Sequence, residues 1–187
     1  DKFKVLLPGR LTTWKGQLNF IEALNILIED YKKDKFQAII LGSDQGRNVY
    51  KKKLQSLVDR YNLNKKIIFI EHCKEMPLAY ALADIVISSS IEPEAFGRVA
   101  VEAQSMEKLI IASNIGGSNE TIVDEKTGLL FEAGDANSLS QKIIRAITMD
   151  ERTIKLLGIE GRKNVKKKFN VEKMCFSTYS EYKRLLN

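Results

Sequence analysis

The sequence has few of the residues that staple small domains or build metal and nucleophile centres. Its 187 residues include two cysteines, Cys73 and Cys175, and one histidine, His72. Two widely separated cysteines indicate neither a disulfide framework nor a thiolate metal site, so a reducing, cytoplasmic setting is expected. No Ser-His-Asp set and no metal cluster can be assembled around a single histidine, so neither kind of site is predicted.

Long apolar runs and the common phosphate-binding motifs are also missing. No run approaches the roughly 20 apolar residues that span a bilayer, which argues against an integral membrane protein. Neither GxGxxG nor GxxxxGK[ST] occurs, so the dinucleotide-binding and P-loop classes lose support. The chain lacks an initiator Met and opens almost at once into a strand-like run, from which we expect a piece excised from a longer protein.

What is present is typical of one globular domain with an excess of positive charge. Hydrophobic residues make up 44% and charged residues 29% of the chain, which is long enough to bury a core by itself. The net charge of +6 favours an anionic partner. That partner is a nucleic acid, a membrane surface or a phosphorylated small molecule, and charge alone does not choose among them.

Short apolar runs alternate with longer segments of helical period, which is typical of a parallel sheet flanked by helices. We therefore predict an α/β doubly wound fold in a single domain, with a core over residues 1–135 and helices over 136–187. The predicted strands are Phe3–Leu7, Phe36–Leu41, Lys66–Ile70, Ile85–Ser89, Leu109–Ala112 and Gly128–Phe131. The predicted helices are Lys15–Tyr31, Asn48–Tyr61, Met76–Ala83, Phe96–Met106, Ser118–Val123, Asn137–Thr148, Glu151–Lys167 and Val171–Leu186. In such sheets ligands bind at the carboxyl ends of the strands.

The loop after the first predicted strand is suited to bind an anion. It contains Gly9 and Gly16 at its margins, with Arg10 and Lys15 between them. The glycines permit close approach of the backbone, and the guanidinium can fork onto phosphate oxygens. Lys15 adds a point charge near the positive end of the next helix. The alternative, that both cations are solvated loop charges, is equally compatible with this loop alone.

The loop after the fourth predicted strand carries two carboxylates, Glu94 and Glu102. Eight positions separate them, or roughly 12 Å if the whole interval were helical, so they cannot touch one atom. They can hold opposite ends of an extended ligand, one at sugar hydroxyls and one at a ribose, while helix amides between them face a diphosphate. In the alternative, Glu94 complements the helix dipole and Glu102 pairs with Arg98 at i,i+4.

The loop after the fifth predicted strand has paired glycines, Gly116 and Gly117, ahead of a short helix. These glycines can bring backbone amides against phosphate or sugar. A plain turn with Ser118 as the N-cap explains the same residues.

Together these loops resemble the GT-B fold retaining glycosyltransferases of family 4, from Lys4 to about Lys168. The resemblance implies a Rossmann-like C-terminal domain of that fold, with a helical C-terminal extension. Each element is weak alone, but five in order are specific. The elements are GR…KG (Gly9, Arg10, Lys15, Gly16), Ala83-Asp84, the EX7E element from Glu94 to Glu102, GG…E (Gly116, Gly117, Glu120), and TGLLF followed by Gly134 and Asp135.

The resemblance also implies residue roles. Arg10 and Lys15 would bind the diphosphate and neutralise the leaving nucleotide without a metal or other cofactor, and Glu94 would hold the donor sugar. Glu102 would bind the ribose, and the segment from Phe69 to His72 would contact the base. The implied donor-binding residues are Gly9, Gly16, Phe69, His72, Phe96, Gly97, Arg98, Glu102, Gly116 and Gly117.

The chain departs from the family pattern in two turns and in its extent. Glu107 and Leu109 stand where the family often has Gly then Pro, and Glu125 stands where it often has Gly. These changes put the local backbone shape in doubt, but not the site. The N-terminal acceptor domain of the family is absent, so we expect this chain to bind a donor and to transfer poorly or not at all.

The implied function is transfer of sugar from a UDP- or GDP-sugar, in cell-surface glycan or lipopolysaccharide synthesis. A nucleotide-sugar epimerase of the same fold and a non-catalytic nucleic-acid-binding module are the alternatives, although no nucleic acid partner is expected. The basic side chains of the C-terminal helices either form a solvated surface or attach the protein to the inner face of the cytoplasmic membrane.

Overall fold

A computed structural model describes residues 2–46 and 48–186 of the chain. The strands are β1 (Phe3–Pro8), β2 (Phe36–Leu41), β3 (Ile67–Ile70), β4 (Ile85–Ser88), β5 (Leu109–Ser113) and β6 (Leu129–Phe131). The helices are α1 (Gln17–Glu29), α2 (Asn48–Arg60), α3 (Met76–Leu82), α4 (Arg98–Ser105), α5 (Ser118–Thr121), α6 (Ala136–Thr148), α7 (Glu151–Lys168) and α8 (Val171–Leu186), with a short 3-10 helix at Thr13–Lys15. Within these residues no helix is long and apolar enough to cross a membrane.

The six strands form one parallel sheet in the order β3-β2-β1-β4-β5-β6. Every residue of β4 and β5 is buried, because helices cover both faces of the sheet and leave no face for polar side chains. The doubly wound, Rossmann-like fold class predicted from the sequence is therefore confirmed, as is the helical C-terminal extension.

The core is divided between the two faces of the sheet. On one face α1, α2 and α6 contribute large side chains such as Phe20, Leu54 and Ile143. On the other face α4 contributes Ala100 and Ala103, whose small side chains let this helix approach the sheet closely. Helix α4 thus lies directly against the strands whose ends form the site.

The order of the strands reverses between β1 and β4. The helix after β1 packs on one face of the sheet and α4, after β4, packs on the other. The loops that leave these two strands therefore diverge, and a crevice remains between them at the carboxyl ends.

Two predicted helices begin later than the sequence indicated. The segment predicted from Lys15 is broken at Gly16, whose φ of 69° ends the 3-10 helix before α1 begins. The helix predicted from Phe96 begins at Arg98, after Gly97 with a φ of 73°. Local patterning missed both starts because each is set by a left-handed glycine in a loop that packs against another loop.

The two glutamates that replace family glycines adopt the glycine conformation. Glu107 has a φ of 56° and Glu125 has a φ of 63°. The turn shape is therefore kept, although a left-handed backbone costs an L-residue about 1–2 kcal/mol. Ion pairs of Glu125 with Arg145 and Lys142 accompany the strained turn at that site.

We predict that glycine stabilises the turn at position 107. Glu107→Gly should have a free energy of unfolding about 1 kcal/mol above that of Glu107→Ala, because alanine keeps the left-handed strain. Both variants lose the exposed ion pair with Arg162, so its small contribution cancels. Denaturant unfolding measures the difference.

The same two substitutions at Glu160 serve as the control, because there the difference in free energy of unfolding should have the opposite sign. This residue is exposed within α7, so Glu160→Gly should be about 1 kcal/mol less stable than Glu160→Ala. The interpretation of the turn is wrong if glycine is also the less stable choice at position 107.

Candidate functional site

A cleft of about 620 Å³ opens between the loops after β1 and β4, within the size range of small-molecule sites. Loops after β2 and β3 and the start of α4 complete its walls. The lining residues are Pro8, Gly9, Arg10, Trp14, Lys15, Leu41, Gly42, Ser43, Gln45, Glu71, His72, Cys73, Met76, Tyr80, Glu94, Ala95, Phe96, Gly97, Arg98, Val99 and Glu102. Within the described residues, no three His, Cys, Asp or Glu side chains are grouped to hold a metal ion.

Two cations and one indole form the wall contributed by the loop after β1. The Arg10 guanidinium carbon lies 5.8 Å from the centroid of Trp14, and Lys15 Nζ lies 4.5 Å from it. Both distances fall within the range of cation–π attraction. Both charges therefore lie near one aromatic ring on the same wall of the cleft.

The backbone of this loop is tied to the core through a buried amide. The Gln17 side chain donates from Nε2 to the Arg10 carbonyl at 2.8 Å, and its Oε1 accepts from the Tyr50 hydroxyl at 3.2 Å. Burial raises the pKa of Tyr50 to about 12, so its hydroxyl stays a donor at neutral pH. The position of Arg10 is thus fixed from below while its side chain remains exposed.

Lys15 and Glu94 join the loops after β1 and β4. Lys15 Nζ lies 2.7 Å from Glu94 Oε1, and the two side chains are only 13% and 17% exposed. The Ser90 hydroxyl donates to the same carboxylate oxygen. Helix α4 begins only at Arg98, so Glu94 is not in its first turn. The alternative in which Glu94 complements the dipole of this helix therefore does not describe the structure.

Backbone contacts hold these two loops at close range. The Ser89 hydroxyl donates to the carbonyls of Lys15 and Gly16 at 3.0 and 3.2 Å. A Cβ at Gly16 would lie 1.8 Å from the Ser89 carbonyl oxygen, so no other residue fits there without displacement. Gly16 is therefore a packing residue beneath the cleft and is not among the residues that line it.

Glu102 is held by side chains from two helices. Its Oε2 accepts from the Tyr80 hydroxyl at 2.7 Å, and its Oε1 accepts from Arg98 Nη2 at 2.8 Å. The i,i+4 pair that the sequence offered as an alternative is thus present, and Glu102 still lines the cleft. Burial and the carboxylate together raise the pKa of Tyr80, which keeps the phenol protonated.

The amino end of α4 faces the cleft between the two carboxylates. Gly97 precedes the helix and supplies no side-chain cap, and the cleft is lined by Gly97, Arg98 and Val99. The first amides of a helix lack intrahelical partners and carry partial positive charge. An anion lying between Arg10, Lys15 and this helix end would contact positive groups on both sides.

Gly116 and Gly117 pack against the loop after β4, which carries Glu94, on the side away from the cleft. The Gly117 amide donates to the Glu94 carbonyl at 2.7 Å, and a Cβ at Gly117 would lie 2.6 Å from the Phe96 carbonyl carbon. At Gly116, where φ is 56°, a Cβ would approach the same Glu94 carbonyl oxygen to 2.7 Å. Neither glycine lines the cleft. Both glycines allow the two loops to pack closely.

The structure brings most of the predicted site residues together and leaves four outside. Gly9, Arg10, Lys15, His72, Glu94, Phe96, Gly97, Arg98 and Glu102 line the cleft. Gly16, Gly116 and Gly117 lie behind it, and Phe69 packs against the core on the α1 and α2 face. Of the predicted segment from Phe69 to His72, only Glu71 and His72 line the cleft.

Sequence reasoning missed Tyr80 and the loop after β2. Ser43 and Gln45 follow a buried parallel strand, so the same strand-end rule that selected the other loops would have found them. Tyr80 lies in a short apolar helix, and its pattern there is that of a core residue. Only the fold brings its hydroxyl to Glu102.

Comparison with known proteins identifies the family of this chain. A family profile described as Glycosyl transferases group 1 matches residues 1–164. The chain belongs to this family. It is 27% identical over 186 residues to the capsular polysaccharide biosynthesis glycosyltransferase CapM of Staphylococcus aureus, covering 100% of this chain and 47% of CapM.

Solved glycosyltransferase structures extend the likeness to the fold. A glycosyltransferase from Rickettsia africae is 34% identical with a TM-score of 0.92, covering 100% of this chain and 48% of that protein. Anabaena HepE, solved in complex with UDP and glucose, is 27% identical with a TM-score of 0.88, covering 97% and 48%. This group 1 chain is a GT-B C-terminal domain in fold, and it spans about half the length of the relatives it matches.

The close approach at Gly16 yields a stability prediction. Gly16→Ala should lower the free energy of unfolding by about 3 kcal/mol or more, because the new methyl group must displace the Ser89 backbone in addition to bearing left-handed strain. Denaturant unfolding followed by circular dichroism gives the value.

Gly134 is the matched control, because it also has a positive φ but nothing lies within 4 Å of the place that an alanine methyl group would take. Gly134→Ala should cost only about 1 kcal/mol of strain. Equal losses at the two positions would contradict the steric explanation for Gly16.

Proposed function

We propose that this chain is the donor-binding half of a retaining, metal-independent glycosyltransferase of family 4, which takes a UDP- or GDP-sugar. The observation that carries the proposal is the contact of Lys15 with Glu94 beside Arg10, in the cleft that also contains Glu102. One cleft thus contains cations suited to a diphosphate, a carboxylate suited to a sugar and another carboxylate suited to a ribose. A nucleotide sugar has all three of these parts.

The cations account for stabilisation of the leaving group. When the glycosidic bond breaks, negative charge grows on the diphosphate. Arg10, Lys15 and the amino end of α4 would face that charge from fixed positions, and preorganised groups of this kind stabilise a transition state without reorganising. They would supply the charge that a Mg²⁺ ion contributes in other phosphate-transfer sites.

Glu94 would orient the donor sugar. Lys15 and Ser90 both contact Oε1 of this carboxylate, which leaves Oε2 to accept from sugar hydroxyls. Because Lys15 touches the same carboxylate, the sugar and the diphosphate would be held by one connected group. The proposal of retention rests on the EX7E spacing from Glu94 to Glu102 and its resemblance to family 4.

The acceptor would be bound by a second domain outside this chain. This proposal rests on the relatives, of which the chain covers 47% and 48%. Alone, the chain would bind a donor and transfer nothing. CapM is named for capsular polysaccharide biosynthesis, which supports a role in cell-surface glycan synthesis. A role in lipopolysaccharide synthesis and a place at the cytoplasmic side of the membrane are part of the proposal and rest on the resemblance to family 4.

A nucleotide titration tests the proposal. Trp14 is the only tryptophan and lines the cleft, so the single indole N–H signal in an NMR spectrum reports binding directly. UDP, GDP and ADP should be titrated in turn, with calorimetry for affinity. We expect saturable binding of UDP or GDP, and Arg10→Ala or Lys15→Ala should weaken it at least about tenfold, the effect of losing one charge-assisted contact.

Lys167→Ala is the matched control. It removes one positive charge from the basic end of α7 and leaves the cleft intact, so the nucleotide affinity should change less than about twofold. The proposal fails if none of the three nucleotides binds at millimolar concentration. It fails equally if Lys167→Ala weakens binding as much as Lys15→Ala, because diffuse electrostatic attraction would then explain the affinity.

A further inference from the structure

Tyr80 is a buried residue whose hydroxyl reaches the cleft. The side chain is 2% exposed and packs with Leu6 and Val86 on the α4 face of the sheet. Its hydroxyl donates to Glu102 Oε2 at 2.7 Å. A side chain of the core thus donates a hydrogen bond to Glu102, the residue that would bind ribose in the proposed function.

We propose that Tyr80 is a positioning residue that sets the selectivity of this site for ribose by fixing the carboxylate of Glu102. The proposal rests on the proposed function, since it assumes that Glu102 accepts hydrogen bonds from ribose hydroxyls. It adds a residue from α3, which contributes no sequence motif to the donor site.

Arg98 cannot supply the same constraint. Its side chain is 84% exposed, and exposed i,i+4 ion pairs of long side chains contribute little and exchange readily with water. Tyr80 is only 2% exposed, so packing in the core restricts the movement of its ring and keeps its hydroxyl in place beside Glu102. Of the two side chains that donate to the Glu102 carboxylate within the described residues, Tyr80 is the one held in the core.

The hydrogen-bond inventory leaves room at Glu102 for a ribose hydroxyl. An ionised carboxylate accepts only, and its two oxygens offer about four lone-pair sites. Tyr80 occupies one site on Oε2, and Nε and Nη2 of Arg98 both donate to Oε1, so a free site remains on Oε2. The carboxylate is therefore held at both oxygens while acceptor capacity remains for a hydroxyl donor. With its pKa raised, Tyr80 keeps its proton and remains a donor at neutral pH.

A structural role of Tyr80 predicts something different from a positioning role. General loosening would weaken the binding of every nucleotide alike, whereas a misplaced Glu102 would weaken only ligands that possess ribose hydroxyls. Tyr50 allows the two to be separated. It is the other buried tyrosine with a hydrogen-bonded hydroxyl among the described residues, but it supports Arg10 through Gln17.

The test compares UDP with 2′,3′-dideoxy-UDP by calorimetry, or GDP with its dideoxy form if GDP is the tighter ligand. The wild-type chain should bind the ribonucleotide at least about tenfold more tightly, because a site that hydrogen-bonds a substrate hydroxyl rejects the analogue that lacks it. Tyr80→Phe should reduce this ratio to about two, by weakening UDP and leaving the dideoxy ligand nearly unchanged. Tyr50→Phe should keep the wild-type ratio, because any loss it causes falls on both ligands.

A double-mutant cycle with Glu102→Gln checks that Tyr80 acts through the carboxylate. In the Glu102→Gln background, Tyr80→Phe should change UDP affinity less than about twofold. Thermal unfolding of each variant verifies that it is folded. The inference is overturned if Tyr80→Phe preserves the ratio, or if its effect is the same with and without Glu102. Wild-type chain that binds neither ligand would instead refute the proposed function on which the inference rests.

Discussion

The ion pair between Lys15 and Glu94 is the contact on which the site depends. The strand order reverses between β1 and β4, so the loops after these strands are directed toward opposite faces of the sheet. A partly buried pair at 2.7 Å, with Gly16 pressed against Ser89 beneath it, draws the two loops back together. Together with the hydrogen bonds of Ser89 to Lys15 and Gly16, this pair brings the cations of one loop and the carboxylates of the other to a single cleft.

The same pair sets the electrostatic character of the cleft. Lys15 forms an ion pair with Glu94 and lies over the Trp14 ring, so its position is determined before any ligand binds. Positive groups from Arg10, Lys15 and α4 share this cleft with the carboxylates of Glu94 and Glu102. In the proposed function these groups would bind the diphosphate, the sugar and the ribose of one ligand.

The sequence predicts the layout of the fold and the location of the site because both follow from local rules. Buried parallel strands are apolar on both faces, and β2 has the predicted bounds of Phe36–Leu41. Ligand groups gather at strand ends, which selected Arg10, Lys15, Glu94 and Glu102. What the sequence does not predict is contact between loops. Gly16, Gly116 and Gly117, which the sequence predicts to contact the ligand, pack loop against loop outside the lining of the cleft, and only the structure shows that the Tyr80 hydroxyl lies 2.7 Å from Glu102.

A crystal structure of the chain with bound UDP, or GDP if that binds more tightly, would decide whether the cleft holds a nucleotide in the proposed orientation. We expect the diphosphate oxygens to lie within hydrogen-bond distance, about 3 Å, of Arg10 or Lys15 and to face the amino end of α4. The ribose hydroxyls should contact Glu102. A nucleotide bound outside this cleft, or one inside it with the ribose at Glu94 and the diphosphate away from both cations, would contradict the proposed orientation and the function built on it.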